Sequence, residues 1–335
     1  MIVNRLLKVV AFLAYDIGVV LVLLVLLEMA LRIFAPQIGP QGTDKILYQD
    51  DLYYGSYGLR PNAYGESNGA LVRVDALGCR ETSAPIDTSK LSWLYLGDSV
   101  TMGLGVTGDS TFAGRLQSRF RNVNLLNPSM IGYGVDDYVN LLRWFVVDRG
   151  DSLKIDRVTV CWCLNDIYSE EDEVSAPGSG VRATFGSLIS YIRPRLRTYM
   201  FLKTLFFDRP KSYYLYDSKF YSDSNEVNRA VSKVVMMFGE CSRRNIPFEV
   251  LILPYEYELR SGVVLHDTPQ QILRRKLDSL GIGSMDPMSY MRKSGIKPNA
   301  MYLYGDGIHL SNLGHRLIAN FMIGEIVSGK NGRGD

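Results

Sequence analysis

Three residue types in this chain could act together on an ester. Ser99 lies in "YLGDSVTMGLGV", where an apolar run ends in Gly-Asp-Ser and is followed by Gly103 and Gly105. A chain that leaves a strand this way turns sharply and pushes the serine out at the strand end. A serine hydroxyl is a weak nucleophile until a base takes its proton. The chain has three histidines, and His309 stands three residues after Asp306 in "YGDGIHLSNLGH". On a tight turn that spacing lets the carboxylate reach the imidazole, fix its tautomer and stabilise the imidazolium. His315 reads as part of the following helix, and His266 as part of a polar loop.

Acyl transfer also needs donors aimed at the developing oxyanion. The Ser99 backbone N–H is one. Gly132 in "NPSMIGYG" offers a second N–H where a side chain would obstruct close approach. Asn165 in "CLND" offers a side-chain amide. Gly132 also reads as a plain turn residue, and Asn165 as a helix cap. Asp98 reads as a structural partner that holds the active-site loops by hydrogen bonds. Asn127 and Asp166, beside two of these positions, are supporting candidates.

These residues need a frame that brings strand ends together. From residue 91 the pattern is strand, loop, helix, repeated. The apolar strands are "LSWLYLGD", "NVNLLN", "DRVTVCWCLND" and "PFEVLILP", with a short one near Ser284 to Asp286. Helices are expected over "DSTFAGRLQSRF", capped by Asp109 or Ser110, then "DDYVNLLRWFVVDRG", "NEVNRAVSKVVMMFGECSRRN", "TPQQILRRKLDSLG" and "SNLGHRLIANFMIGEIV". Short apolar strands alternating with helices imply an α/β fold with a parallel sheet covered on both faces. Ligands then bind beyond the C-terminal strand ends, where Ser99, Asn127 and Asn165 fall.

Four stretches together resemble the SGNH (GDSL-type) hydrolases: "GDSVTMG", "NPSMIG", "CLND" and "DGIH". The resemblance covers about residues 91 to 328. It implies a flavodoxin-like three-layer α/β/α sandwich, with Ser99 as nucleophile and Asp306 and His309 as its partners. It also implies an oxyanion hole from the Ser99 backbone, Gly132 and Asn165. The α/β-hydrolase elbow G-x-S-x-G is absent, because Thr101 stands at its second glycine. Two positions depart from the family pattern. Cys163 replaces the usual glycine before Asn165, where a side chain narrows the site or shifts the Asn165 loop. Leu310 replaces a frequent proline after His309.

Ahead of this domain lies "VVAFLAYDIGVVLVLLVLLEMALRIF", residues 9–34, long enough to cross a bilayer. Arg5 and Lys8 precede it, which favours a cytoplasmic N-terminus and an extracytoplasmic catalytic domain. The stretch is long for a cleaved signal peptide and reads as an uncleaved anchor. Glu28 and Arg32 are spaced to pair at the interface. The expected order is therefore 1–8 cytoplasmic, 9–34 transmembrane, 35–90 an extended connector with a short hairpin, and 91–330 catalytic. An insertion at about 167–224 interrupts the last. It mixes aromatics with Arg193, Arg195, Arg197 and Lys203, and reads as a membrane-surface element, a cap on the site or an extra packed helix. The stretch "LEMALRIFAP", "LRPN" and "VDALGCRE" resembles membrane-anchored bacterial SGNH proteins. That resemblance implies a link to cell-surface polysaccharides and their assembly proteins.

Composition narrows the classes further. With 335 residues the chain can bury a sizeable core. A net charge of +2 gives no support to a nucleic-acid partner. The four cysteines, Cys79, Cys161, Cys163 and Cys241, form no C-x-x-C pair, so they read as small core residues. No metal or organic cofactor is implied. The leading expectation is a membrane-anchored serine esterase acting on short acyl esters, O-acetyl groups on glycans foremost. Alternatives are an O-acyltransferase with the same residues and a non-catalytic glycan-binding or assembly component.

Overall fold

The computed structural model describes residues 2–82, 84–168, 195–260 and 268–329. His266 and residues 169–194 of the expected insertion lie outside them. The chain falls into two compact units.

Among the described residues, the first unit holds the helices Ile2–Phe34 and Arg197–Phe206. Val10–Phe34 is apolar, exposed and long enough to cross a bilayer. Arg32 Nε donates to Glu28 Oε1 at 2.8 Å, the i, i+4 pair expected from the spacing. Glu28 has a second task, because its carboxylate accepts the Thr198 N–H at 2.8 Å and the Arg197 N–H at 3.3 Å. These are opening N–H groups of the second helix, which have no partner within it. In return the Arg197 guanidinium donates to the carbonyls of Leu31 and Arg32 at 3.2 Å. Each helix thus caps the other, with charges of the sign each terminus favours.

The second unit begins at Gly42 and is built on a five-stranded sheet. Two antiparallel hairpins come first: β1 Tyr48–Tyr53 with β2 Ser56–Leu59, and β3 Tyr64–Ser67 with β4 Ala70–Arg73. The second turns through Asn68-Gly69, both at positive φ, a dipeptide suited to tight hairpins. The sequence reading expects one hairpin in an extended connector. The structure has two, and they bury Tyr53, Leu59 and Val72 in the core of this unit. The compact unit that holds the sheet thus takes in these hairpins from Gly42 onward.

The sheet follows as β5 Leu91–Gly97, β6 Val123–Leu126, β7 Ile155–Trp162, β8 Phe248–Ile252 and β9 Gly283–Met285. All pairings are parallel, in the order β6-β5-β7-β8-β9. Numbered within the sheet this is 2-1-3-4-5, the flavodoxin-like order. β6 is buried along its whole length and β5 at all but its first residue, as a sheet covered on both faces requires. The helix Asn312–Val327 packs with Phe112–Arg119, while Ser224–Arg243 packs with Val135–Leu142 and Pro269–Ser279. These form the outer layers of the α/β/α sandwich. The cap of Phe112–Arg119 is Thr111, whose side chain accepts the Gly114 N–H. Asp109 and Ser110, expected as caps, lie in a 3-10 turn before it.

Candidate active site

The strand ends carry the site. β5 ends at Gly97, and Ser99 opens the short helix Ser99–Met102. Asp98 caps that helix, its Oδ1 accepting the Val100 N–H at 2.9 Å. At the far end the buried Arg80 donates to the carbonyls of Met102 and Gly103 at 2.6 and 2.7 Å. It also bonds the Val106 carbonyl. Burial pushes the Arg80 guanidinium down to about 10. The turn presenting Ser99 is thus clamped at both ends.

Ser99 Oγ lies 2.8 Å from His309 Nε2, and His309 Nδ1 lies 2.8 Å from Asp306 Oδ1. Asp306 Oδ1 also accepts the backbone N–H groups of His309 at 2.7 Å and Ile308 at 3.0 Å. One carboxylate therefore fixes both the ring and the turn that bears it. Burial raises the Asp306 carboxyl, but the His309 charge and these hydrogen bonds outweigh it and hold it down to about 2. Burial lowers His309, yet the Asp306 charge and hydrogen bond leave it above the ordinary histidine value. His315 is elsewhere: it is buried in the last helix and accepts the Phe112 N–H at Nδ1.

Asn165 follows β7 in the turn Leu164–Ile167. Its amide is held by Asp98 on one side and lies beside the Tyr255 hydroxyl on the other. Nδ2 is 3.4 Å from Asp98 Oδ2, and Oδ1 is 3.3 Å from the Tyr255 hydroxyl. Tyr255 in turn donates to Asp217 Oδ2 at 2.6 Å, and the Tyr168 hydroxyl bonds the other oxygen of Asp217. Burial pushes Asp217 up to about 6, against the pull of both hydroxyls. Cys163, just before, has an extended backbone with φ −101 that any residue adopts, and its side chain is buried. The residue is accommodated by the core, and the turn does not need the usual glycine.

Gly132 lies on the loop after β6 at φ +81. A Cβ there would stand 2.7 Å from the Tyr57 hydroxyl. That hydroxyl donates to the Ile131 carbonyl at 2.5 Å, and Tyr133 OH returns a bond to the Tyr57 carbonyl. The first hairpin thus braces the Gly132 loop.

The supporting candidates are spent on structure. Asn127 Nδ2 donates to the Thr101 carbonyl at 2.8 Å beneath the Ser99 turn. Asp166 accepts the Cys163 N–H and the Tyr138 hydroxyl, both at 2.8 Å. Burial holds the Asp166 carboxyl well above the usual range, with Asp98 adding to the effect. Among the described residues, no group of three or more His, Cys, Asp or Glu side chains could hold a metal ion. The sequence gives no sign of a role for Tyr57, Arg80, Asp217 or Tyr255, although Tyr57 falls in the 35–90 connector, Arg80 in "VDALGCRE" and Asp217 in the 167–224 insertion.

No protein-family model matches the chain, and no curated protein sequence matches it. Solved structures do. The chain is similar to a member of the lipolytic protein G-D-S-L family from Veillonella parvula, at 13% identity and a TM-score of 0.42, over 71% of this chain and 98% of that one. It is similar to a psychrotrophic esterase, EstA, from Pseudoalteromonas sp., at 13% identity and a TM-score of 0.41, over 73% of this chain and 100% of that one. It is also similar to a catalytic mutant of Axe2, an acetylxylan esterase from Geobacillus stearothermophilus, at 13% identity and a TM-score of 0.40, over 72% of this chain and 96% of that one.

Proposed function

We propose that this chain is a membrane-anchored serine esterase of the SGNH type, acting on short acyl esters, with O-acetylated glycans as the substrate class. The observation that carries the reading is the unbroken path from Ser99 Oγ through His309 to Asp306, with both gaps at 2.8 Å. His309 Nε2 takes the hydroxyl proton as Ser99 Oγ attacks the ester carbonyl. Asp306 holds the Nδ1–H tautomer and stabilises the imidazolium. The Ser99 and Gly132 N–H groups and the Asn165 amide receive the oxyanion. His309 then gives its proton to the leaving sugar oxygen, and an acyl group remains on Ser99. Water attacks that acyl-enzyme with His309 as base and restores the serine. The apolar helix ahead of the domain supports the anchor, and Arg5 and Lys8 before it support an extracytoplasmic site.

The test is hydrolysis of a chromogenic acetyl ester by the full chain in detergent, beside Ser99→Ala. Turnover in the first and its loss in the second support the reading. Equal rates, or no turnover in either, overturn it.

A further inference from the structure

The helix Arg197–Phe206 ends in an apolar surface that no described residue of its unit covers. Leu205, Phe206 and Phe207 are 64%, 73% and 65% exposed, while the side turned inward buries Thr198 and Met200. Three consecutive exposed apolar residues are costly in water and are a feature to explain. The helix Ile2–Phe34, on which this one is docked, also ends in exposed apolar residues, Ile33 and Phe34.

The docking is specific. Glu28 receives two opening N–H groups of the short helix, and Arg197 reaches back to the last turn of the long one. Groups of this kind left unpaired at the edge of a hydrocarbon layer are strongly unfavourable. Pairing them allows a helix terminus to rest there. The same contacts explain why an acid and an arginine stand at the end of an apolar span. Lys203 lies along the short helix, on a stem long enough to keep its ammonium in the headgroup layer.

We propose that Arg197–Phe206 is an interfacial helix, docked by these reciprocal caps on the end of the span, and that Leu205, Phe206 and Phe207 enter the same lipid bilayer. The occupant is lipid because the helix that bears these residues is docked by its opening turn on the last turns of the helix that would cross the bilayer. This rests on the reading of residues 9–34 as a membrane span, and the experiment separates the two.

The four native cysteines are buried, so a nitroxide label can be directed to one introduced thiol. Full-length Phe206→Cys and Leu21→Cys are labelled and placed in phosphatidylcholine–phosphatidylglycerol nanodiscs. Accessibility to oxygen and to a water-soluble nickel chelate is then read by electron paramagnetic resonance. Leu21 is mid-span and 57% exposed, and reports the span itself. The expected result is a high oxygen-to-nickel ratio at Leu21 and a lower, lipid-side ratio at Phe206. An aqueous ratio at Phe206 with a lipid ratio at Leu21 overturns the interfacial helix and leaves the span standing. An aqueous ratio at Leu21 overturns both.

Discussion

The Ser99 hydroxyl and the His309 imidazole are 210 positions apart in sequence and meet at 2.8 Å. β5 delivers the first, and the turn ahead of the last helix delivers the second. Asp306 bonds both the ring and the backbone of His309, so ring orientation and turn conformation are one constraint. Substituting Asp306 by Asn keeps the shape but removes the charge and the preference for the Nδ1–H tautomer. Activity toward an acetyl ester should fall by on the order of 10³- to 10⁴-fold, with near-native circular dichroism. Ser99→Ala should lose at least as much.

The charge on Asp306 also sets the acid limb of the pH profile. His309 must be neutral to accept the serine proton, so activity is present above its pKa and lost as pH falls through it. Its pKa is raised, because Asp306 outweighs the burial that opposes it. The limb should therefore lie above the ordinary histidine value of about 6.5. In Asp306→Asn the residual activity should show a limb moved to lower pH. A wild-type limb below 6, or no movement in the variant, would show that His309 is not the base.

Much of this was legible in sequence, and for a physical reason. Strands buried on both faces appear as uninterrupted apolar runs such as "LSWLYLG", and the flanking helices repeat with their own period. Ser99, Asp306 and His309 stand out only in company with Gly132 and Asn165, because a D-x-x-H pair alone recurs by chance and four separate elements in this chain order do not. The braces were not legible. Tyr57 and Ile131 are 74 positions apart, and Tyr255 and Asp217 are 38 apart. A tyrosine in a hairpin carries no local mark of the loop it will hold. Cys163 misleads in the opposite direction, since the extended backbone there accepts any residue.

The Tyr255–Asp217 pair should govern how well Asn165 is aimed. Tyr255→Phe removes the hydroxyl beside Asn165 Oδ1 and leaves Asp217 with Tyr168 alone. A kcat loss of about 10-fold with little change in KM is expected, smaller than removing an oxyanion donor outright. Asp217 has a stability signature as well. Its folded pKa is raised to about 6, so its contribution is full below the unfolded value and is lost as pH rises through about 6. Asp217→Asn is free of that loss. Urea unfolding should show it gaining on wild type between pH 4 and pH 8, by at most roughly 3 kcal/mol.

Gly132 and Tyr57 should be coupled. Gly132→Ala places a methyl in a left-handed backbone and against the Tyr57 hydroxyl. A destabilisation of about 1–2 kcal/mol from the backbone alone is expected, with a fall in kcat as the loop N–H shifts. Tyr57→Phe gives up the bond to Ile131, about 1 kcal/mol. The double variant should be less destabilised than the sum, because the hydroxyl that the methyl meets is gone. Strict additivity in denaturant titrations would mean that the two do not touch.

His315 should make the second unit acid-sensitive without touching catalysis. It is fully buried, its Nδ1 accepts the Phe112 N–H, and Nε2 has no partner among the described residues. Burial holds its pKa down to about 3, and Arg80 and Arg115 push in the same direction. The unfolded chain thus binds a proton that the folded chain refuses. The stability tied to the neutral ring is full above about 6.5 and is lost as pH falls toward 3. The slope it adds is at most about 1.4 kcal/mol per pH unit. His315→Gln keeps an acceptor for Phe112 and has no proton to take up. Its melting temperature should fall less steeply than that of wild type between pH 6.5 and 4, while the position of the acid limb of the ester hydrolysis profile is unchanged. Parallel melting curves across that range would mean that the ring is protonated in the folded state or reaches solvent.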